Sequence, residues 1–340
     1  MRSFLHVLLL FHLLTATGQG APDLVIVTDQ AQAVLQILER RQEGKPVDDE
    51  SWHRLFATEG YRRLKAREAA MGRSFEDSSF RRFVLSDTLL ARAEGLQTTL
   101  QAWRDADLDG ARVRALAYLP PGSRIRARVH LLIKPKTNSF VVEPDTDPAI
   151  MLYLDPARTR AQLENTIAHE LHHIGYAAAC SSSADSASDA AVNEGRRWLG
   201  AFGEGVAMLA AAGGPDAHPH AVSPAEDRVR WDRDVANTAA DLRRLETFLL
   251  DILDRRVTHP DSIGRAGMSF FGVQGPWYTV GWLMASTVEG AAGRAALVEV
   301  LCDPVRLLRR YDAAARARPR AEPALPLWSE GLLARLEGSD

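Results

Sequence analysis

The chain has 340 residues, of which 46% are hydrophobic and 25% charged, and its formal net charge is −3. It is long enough for one large domain or two ordinary ones with a sizeable core. The charge excludes a strongly basic nucleic-acid binder and a protein held to an anionic membrane surface by its charge alone. Basic pairs such as Arg62–Arg63, Arg196–Arg197 and Arg309–Arg310 are scattered along the chain and read as solvated helix faces.

The first stretch, "MRSFLHVLLLFHLLTATGQGAPD", carries one basic residue, an apolar run from Phe4 to Leu14, and then small and polar residues. This is the pattern of a secretory signal peptide cleaved near Gly18 to Ala21. The run is too short to span a bilayer comfortably, so no stable membrane insertion is expected after cleavage. An extracytoplasmic protein, periplasmic or secreted, follows. In that setting Cys180 and Cys302 either form a disulfide or remain two separate buried thiols.

From Leu24 to Glu43 and from Asp49 to Leu119 apolar residues recur at helical spacing, which predicts a helical N-terminal region. Pro120, Pro121 and Gly122 interrupt it. "RIRARVHLLIKP" then alternates as a strand, "KTN" makes a turn, and "SFVV" returns as a second strand. "AIMLYL", Ala149 to Leu154, is a third. Asp155 and Pro156 have the chemistry of an N-cap and first helical position, opening a helix to about Tyr176 with Gly175 as its terminator. Further helices are expected over Ala190–Ala212 and, as one long element, Glu226–Arg256. The uncharged segment Ala266–Val288 is broken by Gly272, Gly275 and Pro276 and reads as buried rather than membrane-spanning. A surface tail precedes a short closing helix.

The helix after the third strand carries "ENTIAHELHHIG". Its Leu163, Ile167, Leu171 and Ile174 make one apolar stripe, and at helical periodicity His169 and His173 point roughly 140° away from it. These two histidines lie four residues apart, one turn above the other. With Glu170 between them they form H-E-x-x-H, a spacing suited to two imidazoles on one zinc ion beside a carboxylate that acts on water. His172 points about 100° away from the pair and reads as a packing residue.

A catalytic zinc needs a third protein ligand. Glu204, in "LGAFGEGVAML", is flanked by Gly203, Gly205 and Ala207, small residues that would let its helix approach the motif helix closely. Glu194, in "AVNEGRR", is the alternative, although the two arginines after it suit a solvated turn. The motif helix, with Thr166 and Ile167 before His169 and Ile174 after His173, resembles the extended metallopeptidase signature. Together with the Gly-Glu-Gly-x-Ala setting of Glu204 it resembles the gluzincin metallopeptidases. The stretch "GPWYTVGWLMASTVEGAAGR" also looks like the last part of bacterial zinc-dependent peptidases that carry the same two motifs.

The resemblance implies a mainly α protein with a small β-sheet (α+β) and a zincin-like core. It implies Zn2+ held by His169, His173 and Glu204, with Glu170 as general base and a peptide or protein substrate. It also implies a downstream tyrosine or histidine that holds the oxyanion. Tyr278 is preferred for that role over His218, His220 and Tyr311. The organisation expected is a signal peptide over 1–20, an N-terminal helical region over 21–120, a zincin-like catalytic region over 121–320 and a C-terminal tail over 321–340. No Gly-x-Met-Glu-Asn sequence is present, so the aminopeptidase means of gripping a free N-terminus is missing. Two rival readings stay open. One is a non-catalytic, zinc-stabilised binding protein, and the other a zinc hydrolase of a non-peptide amide or ester.

Overall fold

The computed structural model describes residues 23–142, 146–180, 189–319 and 324–338. The expected signal peptide lies outside them. The protein is mostly helical with one four-stranded sheet. The chain opens with β1 (Leu24–Val27) and then α1 (Asp29–Gln42). This corrects the expectation of a helix from Leu24. The Val-Ile-Val run is β-branched and finds a parallel partner strand, and pairing prevails over the apolar spacing.

Six short helices follow: α2 (Asp49–Ala57), α3 (Glu59–Ala70), α4 (Asp77–Val84), α5 (Asp87–Leu90), α6 (Ala93–Arg104) and α7 (Leu108–Leu116). Asp48, Thr58, Ser86 and Asp107 accept hydrogen bonds from the first-turn N–H groups of α2, α3, α5 and α7. These caps explain why one long helical pattern resolves into short pieces.

The sheet contains β2 (Ala127–Leu132), β3 (Phe140–Val142) and β4 (Ala149–Tyr153) in the order β1-β2-β4-β3. β2 pairs in parallel with both β1 and β4, and β3 runs antiparallel to β4. The second strand therefore does not return beside the first as a hairpin, because β4 inserts between them. All five residues of β4 are buried, as expected of a central strand covered on both faces. Both of its edges are occupied, whereas β3 is paired on one side only among the described residues.

The motif helix α8 (Arg160–Ala179) starts later than the sequence suggests. Its cap is Thr159, in a reciprocal capping box with Gln162, while Asp155 closes a turn by accepting from the Ala157 N–H. Gly175 does not end the helix. A Cβ there would lie 2.2 Å from Leu119 Cδ1, so this glycine is a point of close approach to the segment before β2. The helix ends at Cys180, which is joined to Cys302 by a disulfide.

Next come α9 (Ala190–Leu199), a 3-10 turn (Gly200–Phe202) and α10 (Gly203–Ala212), which ends at Gly213 with φ +90°. α10 packs between α8 and the later helix α14 (Pro276–Ala292). The role expected of its small residues is corrected here. A Cβ on Gly205 would lie 2.0 Å from the Trp282 backbone nitrogen, and one on Gly203 would meet nothing within 4 Å. Gly205 thus serves contact with α14, not with α8. Gly205→Ala is expected to cost about 3 kcal/mol in denaturant unfolding, because helix backbones must part. Gly203→Ala, which removes a flexible residue from a helix and clashes with nothing, should leave stability unchanged or higher.

The expected single helix over Glu226–Arg256 is two, α11 (Ala225–Ala236) and α12 (Thr238–Leu253). The Asn237 side chain between them donates back to the Arg233 carbonyl and stops the first. α13 (Pro260–Ser269) precedes α14, and α15 (Arg294–Val300), α16 (Pro304–Arg316) and α17 (Glu330–Glu337) complete the chain. The expected short closing helix is α17, seated in the main core by Leu332, Leu333 and Leu336, with Trp328 buried just before it. Among the described residues no helix is long and apolar enough to cross a membrane.

Candidate metal centre

The apolar stripe of α8 seats the helix: Leu163, Ile167, Leu171 and Ile174 are all buried. His169 and His173 project from another side, toward α10. There His169 Nε2 and His173 Nε2 are 3.0 Å apart, and each lies 3.2 Å from Glu204 Oε2. A tetrahedral zinc with bonds of about 2.0–2.1 Å separates its ligand atoms by about 3.3 Å. The triangle of two imidazole nitrogens and one carboxylate oxygen therefore has the size and the donor chemistry of a zinc site. It is the one group of its kind among the described residues.

The electrostatics agree. Burial alone would lower the His173 pKa, but the charge and hydrogen bond of Glu204 outweigh it and carry His173 to about 9. Burial would raise Glu204, yet His173 and His169 hold it far below the usual carboxylate range. A carboxylate this buried needs positive charge beside it, from a proton or from a metal ion.

Glu194 lies elsewhere. Its carboxylate takes hydrogen bonds from Arg197 and from the Trp198 indole N–H. His172 turns inward, fully buried, and donates from Nε2 to the Tyr118 carbonyl at 3.3 Å. Burial, followed by the nearby His173, lowers its pKa to about 3 and keeps it neutral. It braces the motif helix against the segment after α7.

His169 of the cluster lines a cleft of about 670 Å³, walled by α8, the segments before β3 and after β4, the loop before α11 and the lead-in to α14. Glu170 and Tyr278 both line it. The Tyr278 ring lies parallel to that of His169, with centroids 6.3 Å apart. Burial, then the charge of Glu204 and a hydrogen bond to it, push the Tyr278 pKa well above that of an ordinary phenol, so it stays a donor. Glu170 adds to this, and its charge also reaches His173.

Of the other oxyanion candidates only His220 lines the cleft. His218 pairs with Asp232 at 2.9 Å outside it, and Tyr311 is a core residue whose hydroxyl donates to the Pro326 carbonyl. Sequence reasoning missed Asn138, Ser139, Met208, Arg230 and Gln274 in the cleft wall. Most sit on loops or ends of elements, where no periodic pattern marks them.

A helix-borne H-E-x-x-H thus faces a carboxylate on a second helix, and its His169 and Glu170 line an open cleft. The comparison of sequences narrows this. The chain belongs to the family described as "Putative zinc dependent peptidase (DUF5700)", whose model matches residues 52–319. No curated protein and no solved structure matches the chain.

Proposed function

We propose that the protein is an exported zinc peptidase of gluzincin type, in which His169, His173 and Glu204 hold one zinc ion. The observation that carries this reading is the His169–His173–Glu204 cluster, whose His169 lines a cleft that also holds Glu170 and Tyr278. A bound zinc would lower the pKa of water and polarise a carbonyl oxygen. Glu170 takes the proton of the attacking water and passes it to the leaving amine. Tyr278, kept protonated by its surroundings, donates its O–H to the oxygen on which negative charge develops. An extended substrate can lie along the outer edge of β3, which, like β1, is paired on one side only among the described residues and follows the cleft-lining Asn138 and Ser139. β4 has no free edge for that role, because β2 and β3 flank it.

A purely structural zinc site has no use for a carboxylate beside the metal in an open cleft, which disfavours the binding-protein reading. The test is turnover of a blocked peptide library by zinc-loaded protein. Cleavage that stops with chelator and returns with zinc supports the peptidase. Hydrolysis of small amides or esters alone would move the assignment to a non-peptide hydrolase.

Export is supported by the N-terminal apolar run and by the Cys180–Cys302 disulfide, which persists in oxidising compartments. Mature protein is expected to begin between Gln19 and Asp23 and to be recovered outside the cytoplasm. N-terminal sequencing of soluble cytoplasmic protein that starts at Met1 or Arg2 would contradict export.

A further inference from the structure

β2 and β3 follow one another in the chain but are not neighbours in the sheet. The segment between them, residues 133–139, therefore crosses the end of β4. No hairpin ladder holds such a crossing, since a ladder forms only between adjacent strands. Among the described residues no backbone–backbone hydrogen bond joins residues 134–139 to one another. The Ser139 hydroxyl ties the far end to β4 by accepting from the Tyr153 N–H at 3.3 Å. The rest of the crossing takes its shape from a side chain.

That side chain is Lys134, only 3% exposed. Its Nζ donates to the Lys136 carbonyl, to the Asn138 carbonyl at 2.6 Å and to Asn138 Oδ1 at 3.0 Å. An ammonium has three N–H bonds, and all three go to oxygens of one loop. Burial, then the charge of Arg67, pulls the Lys134 pKa down to about 8, with Glu68 of α3 opposing and Lys136 adding to the fall. At neutral pH the three-donor form is thus the main one. The rings of Phe140 and Tyr153 lie 5.4 and 5.9 Å from Nζ. Glu68 is itself committed to Arg73 and to the Lys136 ammonium.

A buried cation is a costly way to close a loop that glycine, asparagine and backbone bonds could close. What it adds is a fixed shape. Two of its three bonds hold Asn138, one on the backbone and one on the side chain. Asn138 is exposed, so packing does not set its position. Yet Asn138 and Ser139 line the same cleft as His169 and Glu170, and they lead directly into β3.

We propose that Lys134 is a positioning residue, whose ammonium folds residues 134–139 into the shape that sets Asn138 and Ser139 against an extended substrate. The proposal rests on the peptidase reading. The test takes the blocked hexapeptide that zinc-loaded protein cleaves best from a random library, and its truncation to the dipeptide amide around the cut bond. Lys134→Met keeps the apolar stem and removes the three donors. It is expected to raise KM for the hexapeptide about tenfold, to change kcat less than twofold, and to leave the dipeptide kinetics and zinc content unchanged. Lys136→Met, whose side chain faces Glu68 and not the loop oxygens, should change neither constant more than twofold. Asn138→Ala removes one acceptor at an exposed position without touching the core, and should raise the hexapeptide KM about threefold; it decides the matter if Lys134→Met does not fold. A hexapeptide KM unchanged in either folded variant, or a loss shared equally by the dipeptide, overturns the assignment. If no library peptide is cleaved, the peptidase reading fails separately. Lys134 is then judged by equilibrium retention of the same hexapeptides on the parent and Lys134→Met proteins, where equal retention, including none, overturns its role.

Discussion

Zinc-loaded Glu170→Gln protein is expected to turn over peptides about a thousandfold more slowly than the parent, with kcat and kcat/KM falling together. The magnitude is that of losing a positioned general base. Glutamine keeps the shape of the side chain and its place on the cleft side of α8, so zinc content and melting temperature should be unchanged. The three residues of the metal cluster are untouched, and the stripe that seats the helix is on another side. The measurement is steady-state kinetics on protein whose zinc content has been determined in the same preparation. Near-parental turnover in fully loaded variant would remove Glu170 from the mechanism.

The second large effect is at Tyr278. Tyr278→Phe is expected to lower kcat by about a hundredfold, because the hydroxyl acts on charge that develops in the transition state. The ring remains against His169, so fold and zinc content should hold. His220 shares the cleft wall and is the control. His220→Ala is expected to lower kcat much less than Tyr278→Phe does. If His220→Ala abolishes kcat while Tyr278→Phe preserves it, the oxyanion role belongs to the histidine and the tyrosine is packing.

The motif helix was legible because two independent patterns coincide on it. Its apolar stripe gave the buried side, and the four-residue spacing of His169 and His173 gave the other. Glu204 was legible for a reason that the structure changes. Its small neighbours do mark a close helix contact, but Gly205 spends it on Gly281 and Trp282 of α14. A glycine signals that something approaches; it does not say what. Strand order was not legible at all. The runs that became β1 and β4 are apolar and that of β2 alternates around Arg128 and His130, and only tertiary pairing decided that β4 should lie between β2 and β3. Asp155–Pro156 carries good capping chemistry, but Thr159 and Gln162 offer two reciprocal bonds where Asp155 offers one, and the helix starts there. Gln274 had no local signal, since only its positive φ and its place in the cleft wall mark it.

The central claim, that His169, His173 and Glu204 bind one zinc, is tested most directly by metal analysis of purified Glu204→Ala and Glu194→Ala proteins beside the parent. The geometry predicts about one zinc per chain in the parent and in Glu194→Ala, whose side chain serves Arg197 and Trp198, and little or none in Glu204→Ala. Zinc retained at parental level by Glu204→Ala and lost from Glu194→Ala would contradict it.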